Sequence, residues 1–266
     1  MPVRTPKETI AAATEAGAKK IDLSNHAFSD GRFAILSILA GAYIALGGIL
    51  SIIVGFGFPQ ITTANPGMQR LLSGAVFPIG LMLVVVLGAE LFTGNNALLM
   101  PPLMSRRCTF GDVAKNWTLV YLGNFVGALL FAYFMVYLPG LTSAETYSAA
   151  VRAIAEAKVS ATPGVILLKG IGANWCVCLA VWLALSGRRL SEKLIACQIP
   201  VMAFVILGYE HCVANMFFIP LGMMEGASVS TSQFLINNLL PATIGNIIGG
   251  AVFVGCLHAY IHSKKS

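Results

Sequence analysis

The chain has 266 residues, 57% of them hydrophobic and only 11% charged. Soluble domains carry about 25% charged residues, so this composition excludes a water-soluble globular protein and predicts an all-α integral membrane protein. The net charge of +6 reads as membrane topology, with no nucleic-acid partner expected.

In chain order, residues 1–32 form an N-terminal tail. Its start, MPVRTPKETIAAATEAGAKK, lacks the apolar stretch of a cleavable signal peptide. Thr5 followed by Pro6 predicts an amphipathic helix over 6–20 at the membrane surface, an anchor or alternatively a gate. A membrane domain over 33–261 follows. It holds six apolar runs, each meeting the roughly 20 residues a bilayer crossing needs: 33–57, 71–100, 115–138, 163–185, 194–221 and 234–261. A short tail, 262–266, closes the chain. Lys and Arg cluster in the N-terminal tail, the 2–3 loop, the 4–5 loop and the C-terminal Lys264 and Lys265. The other loops hold only Arg70, Arg152 and Lys158, and Lys169 stays inside span four. Both termini are therefore expected on the cytoplasmic side. The sequon Asn116-Trp117-Thr118 falls on that side and is discounted. The six cysteines match no disulfide framework or zinc spacing and read as small apolar packers; no metal or cofactor is expected.

The two halves repeat. GAELFTGNN begins at Gly88 and GYEHCVANM at Gly208, so Gly88, Glu90 and Asn95 match Gly208, Glu210 and Asn215 at an offset of 120. GNFVGALLF and GNIIGGAVF align Gly123, Asn124, Gly127 and Phe131 with Gly245, Asn246, Gly249 and Phe253 at an offset of 122. Three spans per repeat is an odd number, so the copies enter the membrane from opposite sides, as a 3+3 inverted repeat. Spans two and five are longer than a crossing needs, and each carries Gly, a carboxylate and Asn near its middle. That pattern predicts helices broken at mid-depth, tolerable only inside protein or beside water. The exposed half-helix N-termini would make an anion-friendly centre. Glu90 and Glu210 are expected to accept N–H bonds from their own broken backbone and pin the loops, or alternatively to take part in substrate or proton movement. His211, whose repeat counterpart is Leu91, is expected to line a pore, where it can donate a hydrogen bond or a proton to an anion.

At these residues the chain resembles the formate/nitrite transporter family. The motifs are AELFTGN (89–95), KNWTLVYLGNFVGALL (115–130), ANWCVCLAVW (173–182), GYEHCVANM (208–216) and TIGNIIGG (243–250), spread over essentially the whole membrane portion. The resemblance implies a homopentamer of aquaporin-like protomers, each with its own pore, and together with the short loops it suggests a cell inner membrane. It implies His211 as the central histidine, Thr93 as the loop threonine beside it, and Asn174 and Asn215 as pore asparagines. It also implies Phe92 and Phe204 as paired phenyl constrictions, with Phe77 and Leu81 on the other side, and Lys158 as the basic residue of the outer vestibule. The family's serine after the histidine is Cys212 here, a departure that alters polarity behind the imidazole.

The implied function is a channel for small monovalent weak-acid anions and protons, with formate or nitrite first and hydrosulfide or lactate as alternatives. Apolar necks would exclude hydrated ions, and a weak acid could cross as a neutral molecule once protonated. A neutral-solute aquaporin would pair Asn-Pro-Ala boxes at its breaks, and none follows either break here. A membrane enzyme using Glu210 and His211 would need a metal or cofactor constellation, which the sequence does not offer.

Overall fold

Thr5 starts the first helix in the computed structural model, which describes residues 3–263. Lys264 and Lys265, and so most of the predicted 262–266 tail, lie outside the described residues, as do Met1 and Pro2. The Thr5 hydroxyl accepts the Glu8 N–H (3.3 Å), and the Glu8 carboxylate accepts the Thr5 N–H (2.7 Å), with Pro6 at the first helical position. The Thr5 N–H and the Thr5 hydroxyl (3.0 Å) both donate to the Glu8 carboxylate and hold it below its usual range. The reciprocal cap is therefore kept at neutral pH and lost as pH falls through the lowered value. The capped helix, α1 (Pro6–Asn25), runs five residues beyond the predicted end and buries Ile10, Ala13, Gly17 and Ile21. Gly17 lies so close to the Leu98 carbonyl and Pro102 that a side chain would not fit. Thus the buried face of α1 docks on protein.

The two halves are further built from α2 (Arg32–Phe56), α3 (Pro66–Leu87), α4 (Phe92–Leu98), α5 (Phe110–Tyr137), α6 (Glu145–Ser160), α7 (Pro163–Ser186), α8 (Leu190–Ile206), α9 (Cys212–Met224) and α10 (Gln233–His262), with short helical turns at Ala27–Asp30, Pro59–Thr62 and Met100–Met104 between them. Among the described residues there is no strand. Among the described residues, five helices, α2, α3, α5, α7 and α10, are long and apolar enough to cross a membrane. The predicted second and fifth spans are each two helices: α3 with α4, and α8 with α9. The segment around Lys158, read from sequence as a loop, is the helix α6.

The inverted repeat comprises five helices in each half. α1 to α5 correspond in order to α6 to α10. Each half packs its first long helix against its last through the duplicated glycines. Gly123 and Gly127 of α5 press on Ser37 and Ile38 of α2, and Gly245 and Gly249 of α10 press on Leu167 and Ile171 of α7. A Cβ on Gly249 would sit 3.0 Å from both the Ile171 carbonyl carbon and the Trp175 nitrogen. Small residues four apart let two backbones approach this closely, which is how helices gain contact where lipid competes with any apolar surface. These two tight pairs are the walls that hold the broken helices between them.

Candidate functional site

Both breaks are built alike. Gly88 (φ 74°) and Gly208 (φ 68°) end α3 and α8 in the left-handed conformation, which costs little without a Cβ. Three residues without regular structure follow before α4 and α9 begin. One asparagine bridges each gap. Asn124 donates to the carbonyls of Ser37 (2.7 Å) and Glu90 (2.8 Å) and accepts the Phe92 N–H (2.9 Å). Asn246 donates to the carbonyls of Gly170 (2.8 Å) and Glu210 (2.9 Å) and accepts the Cys212 N–H (2.8 Å). Backbone groups freed by the breaks are therefore met inside the protein, as an interior with no water demands.

The carboxylates do something other than the sequence suggested. Neither caps its own backbone, because the asparagines already do. Glu90 pairs with Lys20 of α1 (2.8 Å) and accepts from Asn95 (2.8 Å). Glu210 pairs with Lys158 of α6 (3.1 Å) and accepts from Asn215 (2.7 Å). Each circuit closes through a second amide. Asn95 donates to Asn116, which donates to the Lys20 carbonyl; Asn215 donates to Asn238, which donates to the Lys158 carbonyl. Each carboxylate so ties a broken helix to the short helix beside it. Lys158→Ala would leave Glu210 buried without a counter-charge. We expect it to destabilise the protein by about 3 kcal/mol, the low end for a broken buried pair because Lys158 keeps some solvent contact. Adding Glu210→Gln should restore most of the loss, read as melting temperature in detergent.

The N-terminal ends of α4 and α9 meet at the centre, where His211 Nε2 lies 3.0 Å from the Thr93 hydroxyl. Both residues are buried, at 2% and 0% exposure. His211 is the N-cap of α9, and its Nδ1 accepts the Ala214 N–H at 3.1 Å. A backbone N–H can only donate, so Nδ1 is unprotonated and Nε2 carries the proton, aimed at Thr93. The anion-friendly N-termini expected from sequence are in part filled, because Phe92, Cys212 and Ala214 already donate to protein acceptors. What remains directed at a passing solute is the Nε2–H and hydroxyl pair. Asn174 does not face either vestibule. Its amide nitrogen lies 3.2 Å from the Thr93 carbonyl and 2.6 Å from the Asn246 carbonyl, so it ties α7 to both α4 and α10. The Cys178 thiol adds a bond to the same Thr93 carbonyl (3.2 Å).

A cavity lies on each side of this centre. The first, about 410 Å³, reaches His211 and is lined by Phe77, Phe204, Phe218, Asn215 and Lys158, among others. The second, about 180 Å³, is lined by Leu81, Leu91, Gly94 and Lys20 among others. The Phe204 ring stacks on His211 (5.8 Å between centroids) and meets Phe77 edge-on (5.6 Å). The structure therefore pairs Phe204 with Phe77. Phe92, expected opposite Phe204, turns its ring away against Tyr121 (4.9 Å) and Trp117 (6.4 Å) and lines neither cavity. Leu81 and Leu91 line the second cavity in its stead. Lys158, expected as a vestibule charge, does line the first cavity, but its ammonium is held by Glu210 and lies 5.5 Å from the Phe218 ring centre.

Comparison with known proteins fits this geometry. The sequence pattern of the formate/nitrite transporter family matches residues 7–260. The chain belongs to the formate/nitrite transporter family. It is 43% identical to the uncharacterized transporter YrhG of Bacillus subtilis, over all of this chain and 96% of that one. It is 39% identical to the formate channel BtFdhC of Bacillus thuringiensis, over all of this chain and 98% of that one. A solved pentameric formate channel with formate bound superposes with a TM-score of 0.77 at 32% identity, covering 88% of this chain and 97% of that one. Like its relatives in the formate/nitrite transporter family, the chain is a multi-pass membrane protein.

Several residues of this family member escaped sequence reasoning. Lys20 occupies the place in the first half that Lys158 has in the second. Asn116, set aside as a stray sequon, is a buried member of the first circuit, and Asn238 is its equivalent. Leu91 was visible only as the residue opposite His211. Phe218 had no repeat signal, and in an apolar helix it reads as ordinary packing.

Proposed function

We propose that each protomer of a homopentamer conducts small monovalent weak-acid anions, formate or nitrite foremost, through the path between the two cavities. The observation that carries this reading is the buried Thr93–His211 contact, a paired donor site with an apolar neck on either side. Phe77 with Phe204 forms one neck, and Leu81 with Leu91 the other. A bare charge in such a neck is costly, and a hydrated inorganic ion would have to shed water that the rings and leucines cannot replace. A weak-acid anion has two compensations: hydrogen bonds from Thr93 and His211, and a proton that makes it neutral. With Nδ1 held by Ala214, His211 offers its Nε2–H as a hydrogen bond and does not give the proton up, since that would leave an imidazolate. The proton then comes from water in the vestibules. Glu90 and Glu210 hold the breaks in place, and Asn174 and Asn215 support them. The six-span count, the domain limits (a tail over 1–32, a membrane domain over 33–261 and a tail over 262–266), an inner-membrane location and cytoplasmic termini belong to the same reading, supported by the loop charges.

Purified protein in liposomes tests it. Formate, nitrite, hydrosulfide and lactate should be compared with chloride and glycerol near neutral pH and near pH 5. The expected result is weak-acid flux that rises on acidification, with chloride and glycerol excluded. Hydrosulfide or lactate flux without formate would move the substrate within the family. Glycerol passage without anion flux would overturn the reading.

A further inference from the structure

Each vestibule contains two lysines, and only one of the two is neutralised. Lys158 and Lys20 sit 3.1 Å and 2.8 Å from the carboxylates of Glu210 and Glu90, so each pair contributes little net charge to its cavity. The second lysines are different. Lys169, half-buried on α7, lines the larger cavity beside Lys158, Tyr209 and His211. Lys193, half-buried in the first turn of α8, lines the smaller cavity beside Lys20. Among the described residues, neither ammonium has a carboxylate within ion-pair distance. Arg70, exposed, adds a further cation to the lining of the larger cavity.

Lys169 is also not required by the duplicated scaffold. Its carbonyl accepts the Glu210 N–H (3.3 Å), as the Leu36 carbonyl accepts the Glu90 N–H (3.2 Å). The two positions are therefore equivalent, and leucine serves the backbone role equally well. An unpaired lysine half-buried in a membrane-crossing helix is costly to keep. Where the fold gives no reason for it, the cavity it faces does.

Building on the anion-pore reading, we propose that Lys169 is a recruiting residue that draws the monovalent anion into the larger vestibule, and that Lys193 does the same in the smaller one. The paired lysines, Lys158 and Lys20, position the breaks. The unpaired ones recruit. A cation on the wall of a low-dielectric cleft concentrates anions at its mouth, and the effect weakens as salt shortens the screening length.

The test is uptake by intact cells and by inverted membrane vesicles, using formate, nitrite and hydrosulfide as probes. Initial rates are measured against anion concentration at about 20 mM and about 300 mM salt, where screening lengths are roughly 20 Å and 5 Å. Lys169→Gln should raise the half-saturating concentration about three- to tenfold at low salt from one side only, leave the maximal rate close to that of the wild type, and lose most of the salt dependence. Lys169→Arg should restore all three. Lys193→Gln should show the same behaviour from the opposite side. Two results would overturn the proposal: Lys169→Gln with wild-type concentration and salt dependence, or a uniform fall in rate that Arg does not rescue, which would mark a structural role. If the wild type carries none of the probes, the anion-pore reading fails and this inference with it.

Discussion

His211→Ala should lower the formate-to-chloride flux ratio about ten- to hundredfold at neutral pH, the equivalent of losing roughly 1.5–3 kcal/mol of hydrogen bonding to a charged group. The substitution removes the Nε2–H that faces Thr93 and the ring that stacks on Phe204. The larger cavity would then extend toward the Leu91 side with no donor to favour one anion over another, and the space of the lost imidazole admits water that a hydrated ion needs. The increase in formate flux between neutral pH and about pH 5 should persist, because the anion takes its proton from vestibule water. Loss of that increase would show that the histidine lends the proton itself. A wild-type flux ratio in the variant would sink the donor role altogether. His211→Asn makes a useful partner, since asparagine can cap α9 in place of Nδ1. It should fold better than the alanine variant while still losing selectivity.

Asn246→Ala should largely prevent recovery of folded protein. The side chain satisfies the Gly170 and Glu210 carbonyls and the Cys212 N–H, all where water cannot replace it. Each orphaned group costs about 1–3 kcal/mol. Three together amount to a large part of the 5–15 kcal/mol by which proteins are typically stable. Asn124→Ala removes the equivalent bonds in the other half and should behave alike. The check is the yield of monodisperse oligomer in detergent and its melting temperature. An Asn246→Ala protein that melts like the wild type would show that the break at Gly208 is held by something other than this amide.

Much of the scaffold was legible because the duplication kept its register where the chain is most constrained. Gly88 with Gly208, and Asn124 with Asn246, repeat at offsets of 120 and 122 because a break and its bridging amide must meet at one depth. The offset slips elsewhere. Leu36 and Lys169 are 133 apart, and Lys20 and Lys158 are 138 apart, since loops between helices tolerate length changes. That slippage hid the equivalence of α1 and α6, so α1 read as a surface anchor and the Lys20–Glu90 pair went unseen. The orientation of Phe92 was hidden for another reason. A residue at the start of a short helix after a break can face either way, and only the packing of Tyr121 and Trp117 decides it. The partners of Glu90 and Glu210 likewise depended on which of two nearby donors, backbone or lysine, the folded chain brought closer.

The inverted duplication also bears on current. A solute entering from either mouth meets the same succession: a lysine–glutamate pair, an apolar neck, and the N-terminal end of a half-helix. The halves differ chiefly where His211 stands in the place of Leu91, where Lys169 replaces Leu36, and in the side chains of the two necks, phenyl on one side and leucine on the other. With barriers so nearly alike in the two directions, the pore has little means to rectify. Initial flux of a weak acid under equal and opposite gradients should be nearly the same in the two directions, and the direction of net flow is then left to the gradients the cell maintains.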